Sequence, residues 1–448
     1  MAHLPDKLPP QNLEAEKSVL GSVLIDKNSI EKVIDVLMSD DFYGRQNQLI
    51  YKAMAGLLEK NEPIDILTVS NKLEESGELE NAGGASYLTS LLSATPTSAH
   101  VLNYAKIIRR KKILRDLIDS AHKILGLGYQ EDESIEKILD QAEQSLFAVS
   151  QRSLTQEFIA LKEELQEAFE RLERLHQGDG ALRGLSTGFV DLDNMLAGLQ
   201  RSDLVILGAR PSLGKTSLAL DMARNIAKKE NVGVGVFSLE MSKDQVIDRI
   251  LSAEAGVSLW KLRTGHLSSS GDFNDFSKIS LALDSLSKAP IFIDDAPSPT
   301  VLQIRAMARR LKAKNELGLL VIDYLQLVQP RSDIDGYVQQ VTDVANSLKA
   351  LARELNIPII AVSQLSRAVE ARPDQRPRLS DLRESGGIEQ AADLVMFIHR
   401  EDKVRHHDSD RKNIAEIIIA KHRNGPTGAI ELYFDEEEVS FKNLAKNI

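Results

Sequence analysis

The chain has no cysteine among its 448 residues. This absence excludes disulfides, thiolate catalysis, cysteine-ligated zinc and iron–sulfur clusters as explanations of its function. Basic residues are also in deficit, because 55 lysines and arginines stand against 66 aspartates and glutamates, which gives a net charge of −11. A protein that coats nucleic acid through bulk positive charge is therefore excluded, and any nucleic-acid site must be a local basic patch.

Long hydrophobic runs are missing as well. No stretch of about twenty apolar residues occurs, and the first residues lack a basic segment followed by an apolar one. We therefore expect a cytoplasmic protein without a membrane span or secretory leader. Internal repeats and low-complexity tracts are absent too, and 448 residues are too many for one compact core, so two domains with a connecting segment are expected.

Residues 1–150 have helical periodicity and no convincing series of strands. Between Val101 and Leu127, apolar residues recur every three or four positions beside the basic run at 109–112. This pattern predicts a small all-α domain. The basic run is interpreted either as a nucleic-acid contact or as the solvated side of a helix, and we favour the second because charge runs are usually solvated.

A linker is predicted at 151–182, with one amphipathic helix over residues 157–177. Its apolar residues follow an alternating three-four step. They are Phe158, Leu161, Leu165, Ala168, Leu172 and Leu175. A stripe this narrow packs either on its own domain or on a neighbouring subunit, and periodicity alone favours neither.

From residue 183 to residue 448 the pattern changes to short apolar runs between helical segments. Runs that are apolar at nearly every position are typical of strands buried on both faces, and hence of a mainly parallel sheet with flanking helices. Six such runs occur, at 204–209, 233–240, 290–295, 318–324, 357–364 and 393–400. The tail from residue 413 predicts antiparallel edge strands, joined at Asn424-Gly425-Pro426 and near Asp435.

A phosphate-binding loop is predicted where the run 204–209 meets a helical segment. The sequence ARPSLGKTS at 209–217 is expected to surround a polyphosphate with backbone N–H groups. Lys215 supplies an ammonium group, and Thr216 offers its hydroxyl to Mg²⁺. Ala209 replaces the first glycine of the consensus, but the GKT core that carries the chemistry is intact. A nucleotide site is therefore expected here.

Hydrolysis also requires a carboxylate beside the metal and a second one that orients or deprotonates water. Asp323 ends its apolar run at the carboxyl edge of the expected parallel sheet, where a metal-side aspartate belongs. Glu240 ends another run, just before a helix whose Ser242 and Gln245 have capping-box spacing. Glu240 is therefore either the catalytic base or an acid that favours the helix dipole, and we favour the base.

Three further polar residues end apolar runs. Gln364 is either a side-chain amide that reports the nucleotide state to the segment beyond it or an ordinary polar strand terminus. Asp294 and Asp295 have no other distinguishing feature, so we interpret them as solvated or capping residues.

The segment between Gln364 and Ile388 is predicted to be a loop region, too long for a simple connection. Long, glycine-ended loops at the active edge of a parallel sheet are usually functional. Arginines on such a loop can follow the phosphates of a single strand, although no interleaved aromatic residues indicate base stacking. The arginines are Arg367, Arg372, Arg376, Arg378 and Arg383. The alternative is a mobile surface loop without a ligand.

Six sequence strings occur in one order: ARPSLGKTS, FSLEMS, VIDYLQL, VSQLSR, DLRESGGIEQ and AKHRNGPTG. Together they resemble the bacterial replicative DNA helicases of the DnaB family, and the resemblance spans nearly the whole chain. It implies a helical amino-terminal collar at 1–150, the linker at 151–182 and a RecA-like motor at 183–448. His422 departs from the family pattern but leaves the charged pair Lys421 and Arg423 intact.

The resemblance implies a hexameric ring that binds ATP and Mg²⁺ between the motors of adjacent subunits. The implied nucleotide contacts are Ser212, Gly214, Lys215, Thr216 and Ser217, with Arg249 packed on the base. The implied catalytic groups, besides Lys215, are Glu240 activating water, Asp323 supporting Mg²⁺ through water, Gln364 sensing the γ-phosphate, and Lys421 and Arg423 reaching into the neighbour's site. The implied DNA contacts are Arg383, Glu384 and Gly386. The linker helix is implied to dock on the adjacent motor.

By the same resemblance, the ring encircles single-stranded DNA at a replication fork, moves 5′→3′ and excludes the other strand. The resemblance implies primase and a helicase loader as partners. It implies a location at replication forks in the nucleoid. Two alternatives stay open: a RecA-like DNA-dependent ATPase without unwinding activity, and a nucleotide-gated replication scaffold.

Overall fold

The computed structural model divides the chain into two compact units, Met1–Leu161 and Lys162–Ile448. The residues it describes are 8–95, 97–130, 182–271, 274–330, 336–372, 374–404 and 411–444, with scattered helical positions between 135 and 173. The side chains at 367, 383–385 and 404 lie outside this description, as do Phe158, Ala168, Leu172 and Leu175 of the predicted linker.

The amino-terminal unit is all-helical over its described residues, which confirms the predicted fold class. Its α-helices are Leu13–Ile25, Ser29–Val33, Arg45–Glu59, Ile66–Glu75, Gly84–Ala94 and Val101–Leu127. Side-chain caps fix where two of them begin, because Asn12 accepts from the Ala15 N–H and Asp65 from the Thr68 N–H. Their apolar faces enclose one buried core.

In the helix Val101–Leu127, part of the basic run contacts acidic residues of the same unit, whereas we expected a solvated face. Arg109 Nη1 lies 2.8 Å from Oδ1 of the buried Asp41, and the Lys112 ammonium lies 3.4 Å from Asp40. These two cations are committed to contacts inside the unit, and the side chain of each is less than one-fifth exposed. Among the apolar residues of the helix, Ile108 is buried whereas Leu125 is 54% exposed.

The described residues of the carboxyl-terminal unit contain nine strands. The parallel ones are β1 (Leu204–Ala209), β2 (Gly233–Ser238), β3 (Ile291–Asp294), β4 (Leu317–Asp323), β5 (Ile359–Gln364) and β6 (Leu394–His399). The antiparallel ones are β7 (Ile414–His422), β8 (Gly428–Asp435) and β9 (Ser440–Asn443). They form a single sheet in the order β3-β2-β4-β5-β1-β6-β7-β8-β9. Both the parallel sheet and its antiparallel edge are as predicted.

Helices cover both faces of this sheet. Those of at least six residues are Val190–Leu196, Lys215–Lys229, Lys243–Ala255, Leu259–Thr264, Asp275–Ser287, Val301–Lys314, Tyr337–Leu355 and Gly386–Ala391. Alternate residues of β1 enter opposite cores, Val205 and Leu207 on one face and Leu204 and Ile206 on the other. Each such burial stabilises the fold by about 1.5–3 kcal/mol, which explains why the strand is apolar at every position.

The segment between Gln364 and Ile388 is not the open loop that the sequence predicts. It contains the 3-10 helices Arg367–Ala371 and Leu379–Ser385, and Gly386 begins the α-helix Gly386–Ala391 instead of ending a loop. Local caps account for the difference, since Asp381 accepts the Arg378 N–H at 2.7 Å. Turns this short have no helical periodicity for a sequence pattern to detect.

Within the described residues, no helix combines the length and the apolar character needed to cross a bilayer.

Candidate nucleotide-binding site

Four neighbouring strands bring the predicted nucleotide residues to one edge of the sheet. Strands β2, β4, β5 and β1 lie side by side and run parallel. Asp323 and Gln364 end β4 and β5, Glu240 follows β2 by two residues, and the phosphate loop follows β1. Because the carboxyl ends of parallel strands share an edge, residues more than a hundred positions apart in the sequence converge there.

The backbone of the loop is shaped for an anion. Ser212 and Gly214 both have positive φ, 67° and 99°, just before the helix Lys215–Lys229. Left-handed residues of this kind turn successive N–H groups towards one concave point, in front of the positive end of the helix dipole. Gly214 is required twice over, because a Cβ there would also lie 2.9 Å from the ring of Phe441.

Lys215 lies between the two predicted carboxylates. Its Nζ is 2.7 Å from Glu240 Oε2 and 3.6 Å from Asp323 Oδ1, and its side chain is 9% exposed. The same ammonium lies 4.4 Å from the centre of the Tyr324 ring, a cation–π contact. Sequence reasoning missed Tyr324, although an aromatic residue directly after the metal-side aspartate was the available signal.

Asp323 and Thr216 form the second contact of the site. The Thr216 hydroxyl donates to Asp323 Oδ2 at 2.6 Å. Asp323 Oδ1 is buried 3.6 Å from the Lys215 ammonium and has no hydrogen-bond partner among the residues that the structure describes. Burial raises the pKa of the Asp323 carboxyl, and the charge of Lys215 and the Thr216 hydrogen bond oppose that rise. A buried carboxylate oxygen in need of a partner, beside a hydroxyl, fits a hydrated Mg²⁺ ion.

The helix that follows Glu240 begins as predicted. The side-chain carbonyl of Gln245 accepts the Ser242 N–H at 3.2 Å, which completes the capping box. Asp295 accepts the Lys243 N–H at 2.9 Å, in agreement with its interpretation as a capping residue. Because these groups cap the helix, the Glu240 carboxylate is left to Lys215 and remains 49% exposed at the open side of the site.

Arg249 lies beside the phosphate loop. Its Nη1 donates to the Ser217 hydroxyl at 3.3 Å, and the side chain is half-buried. Burial lowers the pKa of Arg249, and the negative charges of Asp323 and Glu240 oppose that effect, so the guanidinium stands in the field of both acids. Packing of Arg249 on a nucleotide base stays a prediction.

Gln364 is exposed at the end of β5, directly opposite Ala209 in the parallel pairing with β1. Gln326 contacts this strand end. Its amide donates to the Ser363 hydroxyl at 3.0 Å and to the Gln364 carbonyl at 3.3 Å. Gln326 is a second residue that sequence reasoning missed, because only the pairing of β4 with β5 brings it here.

Arg210 connects the phosphate loop to the segment beyond Gln364. Its Nη1 donates to the Leu365 carbonyl at 3.0 Å, and its Nε lies 3.1 Å from Glu370 Oε1. The loop that surrounds phosphate and the segment predicted to contact DNA are therefore joined directly, in addition to the expected link through Gln364.

The predicted DNA contacts are only partly within the described residues. The side chains of Arg383 and Glu384 lie outside them, whereas Gly386 is exposed and a Cβ there would meet open space. Three of the predicted arginines have partners in their own chain, since Arg372 pairs with Asp381, Arg376 with Glu416 and Arg378 with Asp374. The first two of these pairs are not apparent from the sequence, because only folding brings their members together.

Lys421 and Arg423 lie at the opposite edge of the sheet from the phosphate loop. Strand β7 ends beside the start of β6, where Leu394 pairs with His422, and β6 runs parallel to β1. The six residues of β1 separate the two edges by about 16 Å. Neither cation can therefore reach the phosphate loop of its own chain.

The two cations have different surroundings at that edge. Lys421 Nζ donates to the carbonyls of Glu389 and Ala392, at 2.6 and 2.8 Å. Arg423 is 61% exposed and lies 3.2 Å from Asp393 Oδ1.

Comparison with known sequences agrees with this arrangement. The chain matches the sequence model of the DnaB-like helicase N terminal domain over residues 8–110 and that of the DnaB-like helicase C terminal domain over residues 184–443. The replicative DNA helicase DnaB of Geobacillus stearothermophilus is 46% identical over 442 residues, which cover 98% of this chain and 96% of that protein. The replicative DNA helicase DnaC of Bacillus subtilis is 45% identical over 444 residues, which cover 99% and 97% respectively.

A solved structure, described as a DnaB-like replicative helicase and its interactions with primase, superposes with a TM-score of 0.78. It is 33% identical in sequence, and the match covers 97% of this chain and 100% of that one. These relatives are helicases by name, which favours unwinding over the DNA-dependent ATPase and the scaffold. The chain therefore belongs to the DnaB-like replicative DNA helicases, a family of ATP-dependent enzymes that unwind DNA.

Proposed function

We propose that this helicase hydrolyses ATP at the seams between identical subunits of a hexameric ring, and that hydrolysis drives 5′→3′ movement along single-stranded DNA. One observation carries the proposal. The phosphate loop lies at the carboxyl edge of the parallel strands, while Lys421 and Arg423 lie at the amino edge. A cation at the second edge can complete a nucleotide site only in another subunit. Repetition of such a head-to-tail contact generates a ring when the rotation between subunits closes.

Within one subunit, the loop binds the phosphates. The N–H groups around Ser212 and Gly214 receive phosphate oxygens, with Lys215, Thr216 and Ser217 at the start of the helix. Asp323 and Thr216 would hold Mg²⁺, which supplies positive charge that neutralises the phosphates. Phosphate oxygens compete for the Lys215 ammonium, which now contacts Glu240.

Glu240 acts as the general base in this scheme. Once phosphate engages Lys215, the Glu240 carboxylate is free to accept a proton from the attacking water. Gln364, opposite the start of the loop, senses the γ-phosphate. Arg423 of the adjacent subunit stabilises the charge that develops on that phosphate, and Lys421 of the same strand provides a second positive charge.

Exposed apolar residues support assembly into a ring. Leu161 and Leu165, which belong to the predicted stripe, are 75% and 55% exposed although the stripe requires burial, and the nearby Phe169 is 62% exposed. In the amino-terminal unit, Leu117 and Leu125 expose 45% and 54% of their surface. We assign the linker stripe to the motor of the next subunit and the amino-terminal units to a collar.

The DNA site lies in the segment after Gln364, with Arg383, Glu384 and Gly386 along a central channel. The exposed backbone at Gly386 and the link from Arg210 to Leu365 support this assignment. Contacts to phosphates alone suit an enzyme that must pass every base sequence. The interaction with primase described for the solved relative supports primase as a partner. A helicase loader and a position at replication forks are further parts of the proposal.

Mixed rings test the shared site. Lys215→Ala disables a subunit's own site but keeps its Arg423, and Arg423→Ala does the reverse. In rings co-assembled from equal amounts of the two variants, half of the subunits have an intact site and half have an intact arginine. About one quarter of the seams therefore combine an intact site with an intact arginine. Mixing the two inactive variants is therefore expected to restore ATP hydrolysis and fork unwinding. Activity that stays at the average of the two parents refutes hydrolysis at shared seams.

A further inference from the structure

Asp393 occupies the junction between the helix Gly386–Ala391 and strand β6, at the sheet edge that carries Arg423. It is 3% exposed, yet it is a carboxylate, and an acid this buried needs partners. Three groups donate to its carboxylate, and a fourth donates to its backbone carbonyl. The Leu204 N–H and the Lys349 ammonium donate to Oδ2, Arg423 Nη1 donates to Oδ1, and the Arg423 N–H donates to the backbone carbonyl.

These bonds fix Arg423 at two points. The Asp393 carbonyl accepts the Arg423 N–H at 2.8 Å, and Oδ1 accepts the guanidinium at 3.2 Å. The Arg423 side chain is 61% exposed, so it loses rotamer entropy when it is held in one conformation. A fixed anion beside it limits the rotamers of Arg423 before the neighbouring nucleotide binds. The carboxylate is itself fixed, because Leu204 lies at the start of the central strand β1.

Acids and cations are mixed around this junction. Asp203 faces the same cluster, and burial together with the charge of Asp393 raises the pKa of Asp203 to about 6. Lys349, Arg423 and Arg183 oppose that rise. Asp393 therefore belongs to a mixed cluster of acids and cations, in which the Arg423 side chain is 61% exposed.

We propose that Asp393 is the positioning residue for the arginine that acts across the seam: it sets Arg423 in the orientation that the ATP of the adjacent subunit requires. The inference rests on the proposed function, in which Arg423 acts in the neighbour's site. Asp393 does not touch the nucleotide. Its effect on hydrolysis passes through Arg423 and appears in the site of the adjacent subunit, not in its own.

The substitution Asp393→Asn tests this role, because the amide keeps the shape of the side chain and can still accept from the Leu204 N–H. We expect kcat for DNA-stimulated ATP hydrolysis to fall by about 10- to 100-fold, the cost of a misplaced catalytic group. The KM for ATP is expected to stay within about two-fold, since the site that binds the nucleotide is unchanged. Asp41→Asn is the matched control, a buried aspartate paired with Arg109 in the amino-terminal unit. The control is expected to keep wild-type kcat.

Complementation locates the effect. Rings co-assembled from Asp393→Asn and Lys215→Ala subunits are expected to exceed both parents, because the Lys215→Ala subunit supplies a well-positioned arginine to its neighbour's intact site. In an Arg423→Ala background, Asp393→Asn is expected to cause no further loss, since it acts only through that arginine. Native mass spectrometry verifies that each variant forms rings. If Asp393→Asn rings do not assemble, Asp393→Glu keeps the charge, moves the carboxylate and is expected to give the same complementation.

Three results would overturn the inference. If Arg423→Ala complements Lys215→Ala but Asp393→Asn does not, Asp393 acts within its own subunit. The proposal of ATP hydrolysis at shared seams is then retained, but Asp393 has no part in it. Additive losses in the double variant lead to the same conclusion. If Arg423→Ala itself fails to complement Lys215→Ala, the proposed function falls, and the inference falls with it.

Discussion

The ammonium nitrogen of Lys215 lies 2.7 Å from Oε2 of Glu240, so the phosphate-binding cation and the proposed base neutralise each other in this structure. Binding of ATP must break this pair, because the phosphates require the ammonium and the attacking water requires the carboxylate. We therefore expect Glu240 to stay paired with Lys215 until a phosphate binds the ammonium.

Replacement of Glu240 separates binding from chemistry. The amide of Glu240→Gln cannot accept the proton of the attacking water, so we expect single-turnover hydrolysis to slow by about 10²- to 10⁴-fold. ATP binding is expected to be retained, because Lys215 loses a competing anion and keeps its access to phosphate. Phosphate release and the affinity for a fluorescent ATP analogue measure the two effects. Loss of binding with an unchanged rate would assign Glu240 a structural role.

The ion pair between Arg210 and Glu370 predicts how nucleotide and DNA sites communicate. We expect Arg210→Glu and Glu370→Arg to lower the stimulation of ATP hydrolysis by single-stranded DNA about three- to ten-fold, because contacting residues couple strongly. The doubly exchanged protein restores the pair and is expected to recover much of the stimulation. Arg305→Glu with Glu354→Arg, an ion pair distant in sequence from the nucleotide loop, is the matched control. An exchanged protein no better than the single variants contradicts this link.

The exposed linker residues predict the stability of the ring. Aspartate at Leu165 and Phe169 places charge on a surface that we assign to the adjacent motor, and burial of an unpaired charge costs several kcal/mol. We therefore expect the double variant to dissociate into smaller assemblies in native mass spectrometry. Aspartate at Leu67, which is 69% exposed in the amino-terminal unit, is the control and should leave the ring intact. A closed hexamer of the linker variant would contradict the assignment.

Asp221 predicts a pH dependence of stability. Burial raises the pKa of Asp221 to about 6, against the opposing charge of Arg224 and hydrogen bonds from Phe441 and Ser440. A carboxyl with a higher pKa in the folded state binds its proton more tightly when folded. Lowering the pH from about 7 to 5 therefore stabilises the folded protein through this group by about 1 kcal/mol.

The variant Asp221→Asn has no such proton to bind. The thermal midpoint of the wild type, measured relative to this variant, is therefore expected to rise by about 2–4 °C between these pH values. A constant difference between the two proteins across this range would show that the Asp221 carboxyl does not titrate there.

Local sequence was sufficient to predict the strands and the phosphate loop. Strand β1 is apolar at all six positions because both faces are buried, and the six-residue bounds predicted at 204–209 match the structure. The GKT core requires only a strand before it and a helix after it. Neighbouring residues in the sequence are therefore sufficient to specify the phosphate loop. The loop predicted after Gln364 was wrong because its 3-10 turns depend on caps such as Asp381, which leave no periodic trace.

The sequence by itself determined which chemical groups the protein possesses: the glycine with positive φ, the lysine and threonine of the loop, and acids or amides where strands end. Strand order, which no local pattern encodes, decided that Glu240, Asp323 and Gln364 meet around one loop. The pairing of β7 with β6 likewise decided that Arg423 stands at the far edge beside Asp393. The physical reason is that hydrogen bonds between strands join residues distant in sequence, and their energy depends on the whole sheet being formed.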